Sequence, residues 1–304
     1  MKIDISVFFK GMAMGCADLV PGVSGGTIAF ISGIYYRLLD AIGQFKPSLW
    51  QVFRQQGFKA VLKQVDAGFL ATLLAGILFA IASLARVISY LLEHQPIAIW
   101  SFFCGLILIS FVMIVRQIKS RSPSVWLAAL AGFYIAYLIT FAHPIALSDG
   151  YLGVFLGGMI AICAMILPGI SGSMILLLLG LYQPVLLAVK SANLPLLACF
   201  AIGCATGLAT IAHLLSYLLK RFHDQTLALL SCLMLGTLNK IWPWREVMSW
   251  RTNSSGEQVP LFERAISPWS YEQLTELPAQ IPVAVICLVL GCGIVWALER
   301  KARY

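Results

Sequence analysis

The run Pro21-Gly22-Val23-Ser24-Gly25-Gly26 sits between two apolar stretches, and it returns 147 residues on as Pro168-Gly169-Ile170-Ser171-Gly172-Ser173, again between apolar stretches. Proline removes a backbone donor and consecutive glycines permit conformations that other residues resist, so a helix stops at each run and another starts after it. In water such a break is a loop. Here 60% of the residues are hydrophobic and 11% are charged, against about 25% charge in a soluble domain, so lipid must be the solvent for most of the chain. Unwound backbone at membrane depth is tolerated only where protein buries it or a water-filled cavity meets it. The double break therefore predicts a membrane protein whose two unwound segments face its interior.

A bilayer span needs about 20 mostly apolar residues. Runs of that kind are read near 3–20, 27–42, 66–92, 98–115, 125–142, 151–167, 173–189, 194–219, 226–244 and 279–298. The 147 spacing also relates Cys16 to Cys163, Gly33 to Gly180 and Tyr35 to Tyr182. Farther on the spacing becomes 127, relating Gly76 to Gly203 and Ser89-Tyr90-Leu91-Leu92 to Ser216-Tyr217-Leu218-Leu219. Two repeats, 1–142 and 143–304, account for this, with an element inserted at 45–65 of the first. That insert mixes Trp50, Phe53 and Phe58 with Lys46, Arg54, Lys59 and Lys63, the make-up of an amphipathic helix lying in the membrane interface. No cleavable signal peptide is expected, since Lys2, Asp4 and Lys10 interrupt the first apolar stretch.

Lysine and arginine beside the spans set the orientation. If each break is a hairpin that returns to the side it entered from, one side collects Lys2, Lys10, Lys46, Arg54, Lys59, Lys63, Arg116, Lys119, Arg121, Lys220, Arg221, Arg300, Lys301 and Arg303. The other side keeps Lys190, Arg245, Arg251 and Arg264, with a polar extracytoplasmic loop at 245–278. Both termini are then cytoplasmic. The predicted fold is an all-α polytopic membrane protein of two inverted-topology repeats, each a broken helical hairpin plus three transmembrane helices. Length leaves open whether the hairpins are re-entrant or cross fully. Inverted repeats of this kind place a substrate site near the midplane.

A helix restarting after a break offers free N–H groups and a positive dipole end, which suit an anion. Gly25, Gly26 and Gly172 allow close approach to the main chain, and Ser24, Thr27, Ser171 and Ser173 add hydroxyl donors. Pro21, Gly22, Pro168 and Gly169 make the breaks. The few ionisable residues within apolar runs are functional candidates: Arg86 and His213, related by the 127 spacing, Arg37, and Asp18, whose mate is Met165. Asp18 suits a coupling proton or cation, or a charge partner for Arg37 or Arg86; a plain helix-end polar residue explains it as well. The eight cysteines lie in apolar segments and read as small hydrophobes. No metal, cofactor, catalytic residue or nucleic-acid partner is expected.

The run Gly11-Met12-Ala13-Met14-Gly15-Cys16-Ala17-Asp18-Leu19-Val20-Pro21-Gly22-Val23-Ser24-Gly25-Gly26-Thr27, followed by Gly33-Ile34-Tyr35, resembles the bacterial PopT-type polyprenyl-phosphate transporter family. Leu167-Pro168-Gly169-Ile170-Ser171-Gly172-Ser173 with Gly180-Leu181-Tyr182 is similar to that family's second repeat. The resemblance implies translocation of undecaprenyl phosphate across the bacterial cytoplasmic membrane, returning the carrier lipid for envelope polymer synthesis. The partners it implies are the polyprenyl phosphate and membrane lipids. Two other readings stand beside it. The architecture also serves a secondary transporter of another anion or ion. Gly22-Val23-Ser24-Gly25-Gly26 also satisfies the Gly-x-Ser-x-Gly nucleophile pattern, which would make an intramembrane serine hydrolase if His213 reached Ser24.

Overall fold

The computed structural model describes residues 4–19, 24–46, 48–141, 147, 150–252 and 258–302. The first break opens between α1 (Ile5–Asp18) and α2 (Gly25–Ile31), and α3 (Tyr35–Gly43) follows. The insert folds as α4 (Leu49–Gln56) and α5 (Phe58–Gln64). Three long helices complete the first half: α6 (Ala67–His94), α7 (Pro96–Val115) and α8 (Pro123–Phe141). The second half runs α9 (Tyr151–Ile166), α10 (Gly172–Leu178), α11 (Tyr182–Lys190), α12 (Leu194–Arg221) and α13 (His223–Gly236), the last extended by a 3₁₀ turn, Thr237–Ile241. Then come β1 (Arg245–Thr252), β2 (Gln258–Ala265), α14 (Pro268–Thr275) and α15 (Ile281–Ala302).

The long helices start where the sequence supplies a start. Asp4 accepts from Ser6 N at 3.0 Å to cap α1, Asn193 accepts from Leu196 N at 3.3 Å to cap α12, and Pro96 opens α7, a position where the missing proline N–H costs nothing. Among the described residues four helices are long and apolar enough to cross a membrane, within α6, α7, α8 and α12, or five if the bent pair α10–α11 counts as one span. With its relatives below, this makes the chain a multi-pass membrane protein.

Packing is by close helix pairs. α1 lies on α6 and α9 on α12; α7 lies on α15 and α8 on α13. Without a hydrophobic driving force between helices in lipid, small residues let backbones approach and gain dispersion contacts. Gly76 faces the Phe8 carbonyl with no room for a Cβ, and Gly203 faces the Phe155 carbonyl in the same way. Likewise Gly291 meets the Phe102 carbonyl and Gly132 the Leu229 carbonyl. The spacings of 147 and 127 carry each of these carbonyls onto its counterpart. The last helix of each half therefore packs on the other half.

Three features differ from the sequence reading. The segments expected as single arms, 27–42 and 173–189, are each broken again, at Gly33 (φ +74) and Gly180 (φ +70). These left-handed positions favour glycine, and the pair α10–α11 is bent by 112° there. The insert is two short helices, because Gly57 stands at φ +77 between them; Trp50, Phe53 and Phe58 are exposed. The all-α expectation fails at 245–278, where β1 and β2 form an antiparallel pair from Arg245↔Ala265 to Thr252↔Gln258 and α14 follows. β1 shows no apolar–polar alternation, and Met248 and Trp250 on it are exposed.

Candidate functional site: the crossing of two helix breaks

Ser24 initiates α2. Its Oγ accepts from Gly26 N at 3.1 Å and donates to the Met165 carbonyl of α9 at 2.7 Å. Thr27, one turn on, accepts from Gly169 N at 2.8 Å, and Tyr35 Oη donates to the Ile166 carbonyl at 3.1 Å. A Cβ on Gly26 would fall 2.7 Å from the Ile166 carbonyl oxygen and 2.8 Å from that of Met165. Side chains and main chain of the first break thus take up the carbonyls freed at the end of α9 and one N–H of the second break. The two breaks are in direct contact, as the sequence requires of unwound backbone in lipid.

The two restarted helices present different faces. At α2, Ser24 and Thr27 are each 1% exposed. The Gly25 N–H is already taken: it donates to Asp18 Oδ1 at 2.7 Å, so a carboxylate of the chain itself sits at this helix N-terminus. At α10 the hydroxyls of Ser171 and Ser173 lie 2.8 Å from one another, Ser171 makes no side-chain cap, and Ser173 is exposed. Gly172 is buried against the Ala161 carbonyl, Pro168 is buried, and Gly169 at φ +90 presses on Met234 and Thr237. Pro21 and Gly22, read as the first helix break, lie outside the described residues.

The charged candidates do not gather at this crossing. Arg37 Nε pairs with Asp66 Oδ2 at 2.7 Å, with its guanidinium over the Phe69 ring at 4.4 Å. Asp18 forms an ion pair with neither Arg37 nor Arg86 among the described residues, and its partner is the main chain. Arg86 is exposed on α6. His213 Nδ1 donates to the Ala209 carbonyl at 2.7 Å, and the ring borders a cavity of ≈ 200 Å³ with Asp40, Lys46, Ser216 and Lys220. Ser24 Oγ is hydrogen-bonded to main chain on both its donor and acceptor sides, and no histidine is bonded to it.

The model of the undecaprenyl phosphate translocase-like family matches residues 14–259, which include both breaks. The chain belongs to this family. It is 52% identical over 299 residues to a polyprenyl-phosphate transporter of Vibrio cholerae serotype O1, covering 98% of this chain and 97% of that one. It is 33% identical over 253 residues to a polyprenyl-phosphate transporter of Staphylococcus aureus, covering 77% and 84%. No solved structure matches.

Sequence reasoning missed two polar clusters in this family member. Arg245 at the start of β1 pairs with Glu263 of β2 at 2.8 Å and lies over the Trp100 ring of α7 at 4.2 Å. Burial pushes the guanidinium pKa down and Glu263 opposes that shift. Nearby, Trp244 Nε1 donates to the Ala279 carbonyl at 2.9 Å. The signal was Arg245 directly after Trp242-Pro243-Trp244. The second cluster joins Tyr36 Oη to His223 Nε2 at 3.1 Å and His223 Nδ1 to Asp224 at 3.2 Å, while Asp224 accepts from Ser120 N at 2.7 Å. No local pattern announces it, because its members come from three separate segments.

Proposed function

We propose that the protein moves undecaprenyl phosphate between the leaflets of the bacterial cytoplasmic membrane, returning the carrier to envelope polymer synthesis. The headgroup is bound where the two breaks cross. The observation that carries this reading is Asp18 on the Gly25 N–H: an N-terminus of this kind takes an anion, and here the anion is supplied by the chain. An arriving phosphate monoester competes with that carboxylate for Ser24, Gly25, Gly26 and Thr27, and meets the Ser171, Gly172 and Ser173 end from the other side. Pro21, Gly22, Pro168 and Gly169 hold the two ends unwound. Asp18, once displaced, is the group able to take a coupling proton or cation. Arg86, His213 and Arg37 supply positive charge along the path. The prenyl tail stays in lipid, and no catalytic step, metal or cofactor is required.

The reading includes the architecture: two repeats, 1–142 and 143–304, inverted relative to one another, with both termini cytoplasmic, α4 and α5 at the cytoplasmic interface and 245–278 outside. It rests on the names of the relatives and on the charge partition. The test is equilibrium binding by purified protein in vesicles. Polyprenyl phosphate is expected to bind, and inorganic phosphate to compete weakly. Asp18→Asn is expected to tighten lipid-phosphate binding, because an internal competitor loses its charge, and Ser171→Ala to weaken it. Equal affinity for inorganic phosphate would instead favour a transporter of small anions on this architecture. Unchanged binding in both variants would move the site away from the breaks.

A further inference from the structure

The two halves carry the same seam but close it only once. α3 packs on α12, while α11 makes no comparable packing on α6 among the described residues and lies against α10 and α12. The apolar positions are nevertheless present on both hairpins. Leu38, Leu39 and Ile42 of α3 have the mates Val185, Leu186 and Val189 on α11. All three are buried on α3, whereas Val185 and Leu186 are half-buried; Ile42 is 8% exposed and Val189 58%. The receiving helices match as well. Ala212, Leu215 and Leu219 of α12 are buried in one cluster with Leu38, Leu39 and Ile42. The 127 spacing puts Ala85, Ile88 and Leu92 at those places on α6, where Ile88 and Leu92 are half-buried. A polar rim finishes the closed seam, with Lys220 Nζ and Ser216 Oγ at 3.3 and 3.2 Å from Asp40 Oδ1.

The matched cations lie on opposite sides of this difference. His213 borders the cavity of the closed α3–α12 seam. Its mate Arg86 is exposed beside Val87 and Tyr90 on α6, with no ion pair among the described residues. Arg86 follows the apolar stretch Ala67–Leu84 of α6, and a phosphate on an apolar tail supplies a counter-ion for an exposed cation at such a span end.

Resting on the lipid-phosphate reading above, we propose that the space between α6 and α11 is a lateral entry site for a long-chain lipid phosphate, with Arg86 meeting the headgroup. We further propose that α11 closes on α6 as α3 leaves α12, which exposes His213 for release. Both arrangements would use apolar residues at the same positions, although the Asp40–Lys220 rim has Leu187 and Glu93 in its place; two alternative packings of this kind make a bistable element. The second arrangement is not an exact mirror image. Ser173 carries a Cβ where Gly26 has none, so the second break sits less deeply when its hairpin closes.

The experiment uses full-length protein in vesicles, in a background with the eight native cysteines replaced and transport retained. Two cysteine pairs are introduced: Asp40→Cys with Lys220→Cys, and Leu187→Cys with Glu93→Cys at the mate positions. A short thiol cross-linker is expected to join both pairs in the same preparation without added lipid, severalfold above single-cysteine controls. Either cross-link is expected to arrest lipid transfer. Polyprenyl phosphate is expected to shift the ratio of the two yields, and inorganic phosphate to leave it unchanged. A Leu187–Glu93 yield at the control level overturns the exchange, and so does undiminished transfer by the cross-linked protein. Exchange with no response to polyprenyl phosphate keeps the two-seam motion and overturns the lipid-phosphate reading.

Discussion

The helix start that follows the first break is buried and the one that follows the second is exposed at Ser173, although the two runs are closely similar. Ser24 and Thr27 are buried and bonded across to α9 and Gly169, whereas Ser173 is exposed with its hydroxyl beside that of Ser171. Two of the positions where the matched segments differ follow that division. Gly26 lies against two carbonyls that a side chain would strike, and its mate is Ser173. Asp18 covers the N-terminus of α2, and its mate is Met165, whose carbonyl accepts from Ser24. One copy is built to fit tightly, and the other to remain accessible.

The largest effect that would break this comparison is at Gly26. Gly26→Ala is expected to cost about 4 kcal/mol or more, because both obstructing atoms are main chain, whereas Ser173→Ala should stay within about 0.5 kcal/mol. Thermal unfolding in detergent with and without lipid reads both, and equal effects would mean that the breaks are equivalent. Next is the clamp outside the breaks. Arg245→Ala leaves the half-buried Glu263 with Lys240 as its remaining cation and is expected to cost about 2 kcal/mol, read as a fall in unfolding temperature. Smaller again is Tyr35→Phe, which loses one buried hydrogen bond to the Ile166 carbonyl, worth about 1 kcal/mol. The smallest is Asp40→Asn. The pair with Lys220 is mostly exposed and is worth at most about 1 kcal/mol to folding, so a larger loss would show that the closed seam depends on its rim.

Much of this was legible because membrane burial imposes long-range order on a sequence. The apolar runs gave α6, α7, α8 and α12 to within a few residues, and the spacing of 127 paired Gly76 with Gly203, which meet equivalent carbonyls. The second kinks were present as Gly33-Ile34-Tyr35 and Gly180-Leu181-Tyr182, but length alone read through them. The β1–β2 pair was hidden by its polarity, which resembles that of a loop. The partners of Asp18 and Arg37 were illegible for a different reason. Asp18 met the N-terminus of the next helix, and Arg37 met Asp66 across the insert, and neither geometry is written in local spacing. The unequal closure of the seams was equally invisible, since both hairpins carry apolar residues at the same three positions.

The exchange of final helices between halves also constrains how the molecule is made. α7 receives α15, the last helix of the chain, and α8 receives α13. During synthesis the first half enters the membrane with the surfaces of Gly105 and Gly132 uncovered, and they stay uncovered until Leu288 and Leu229 arrive. The surfaces of α7 and α8 thus become covered only when helices made later arrive, and a first half produced alone would leave Gly105 and Gly132 open to any other small-residue helix nearby.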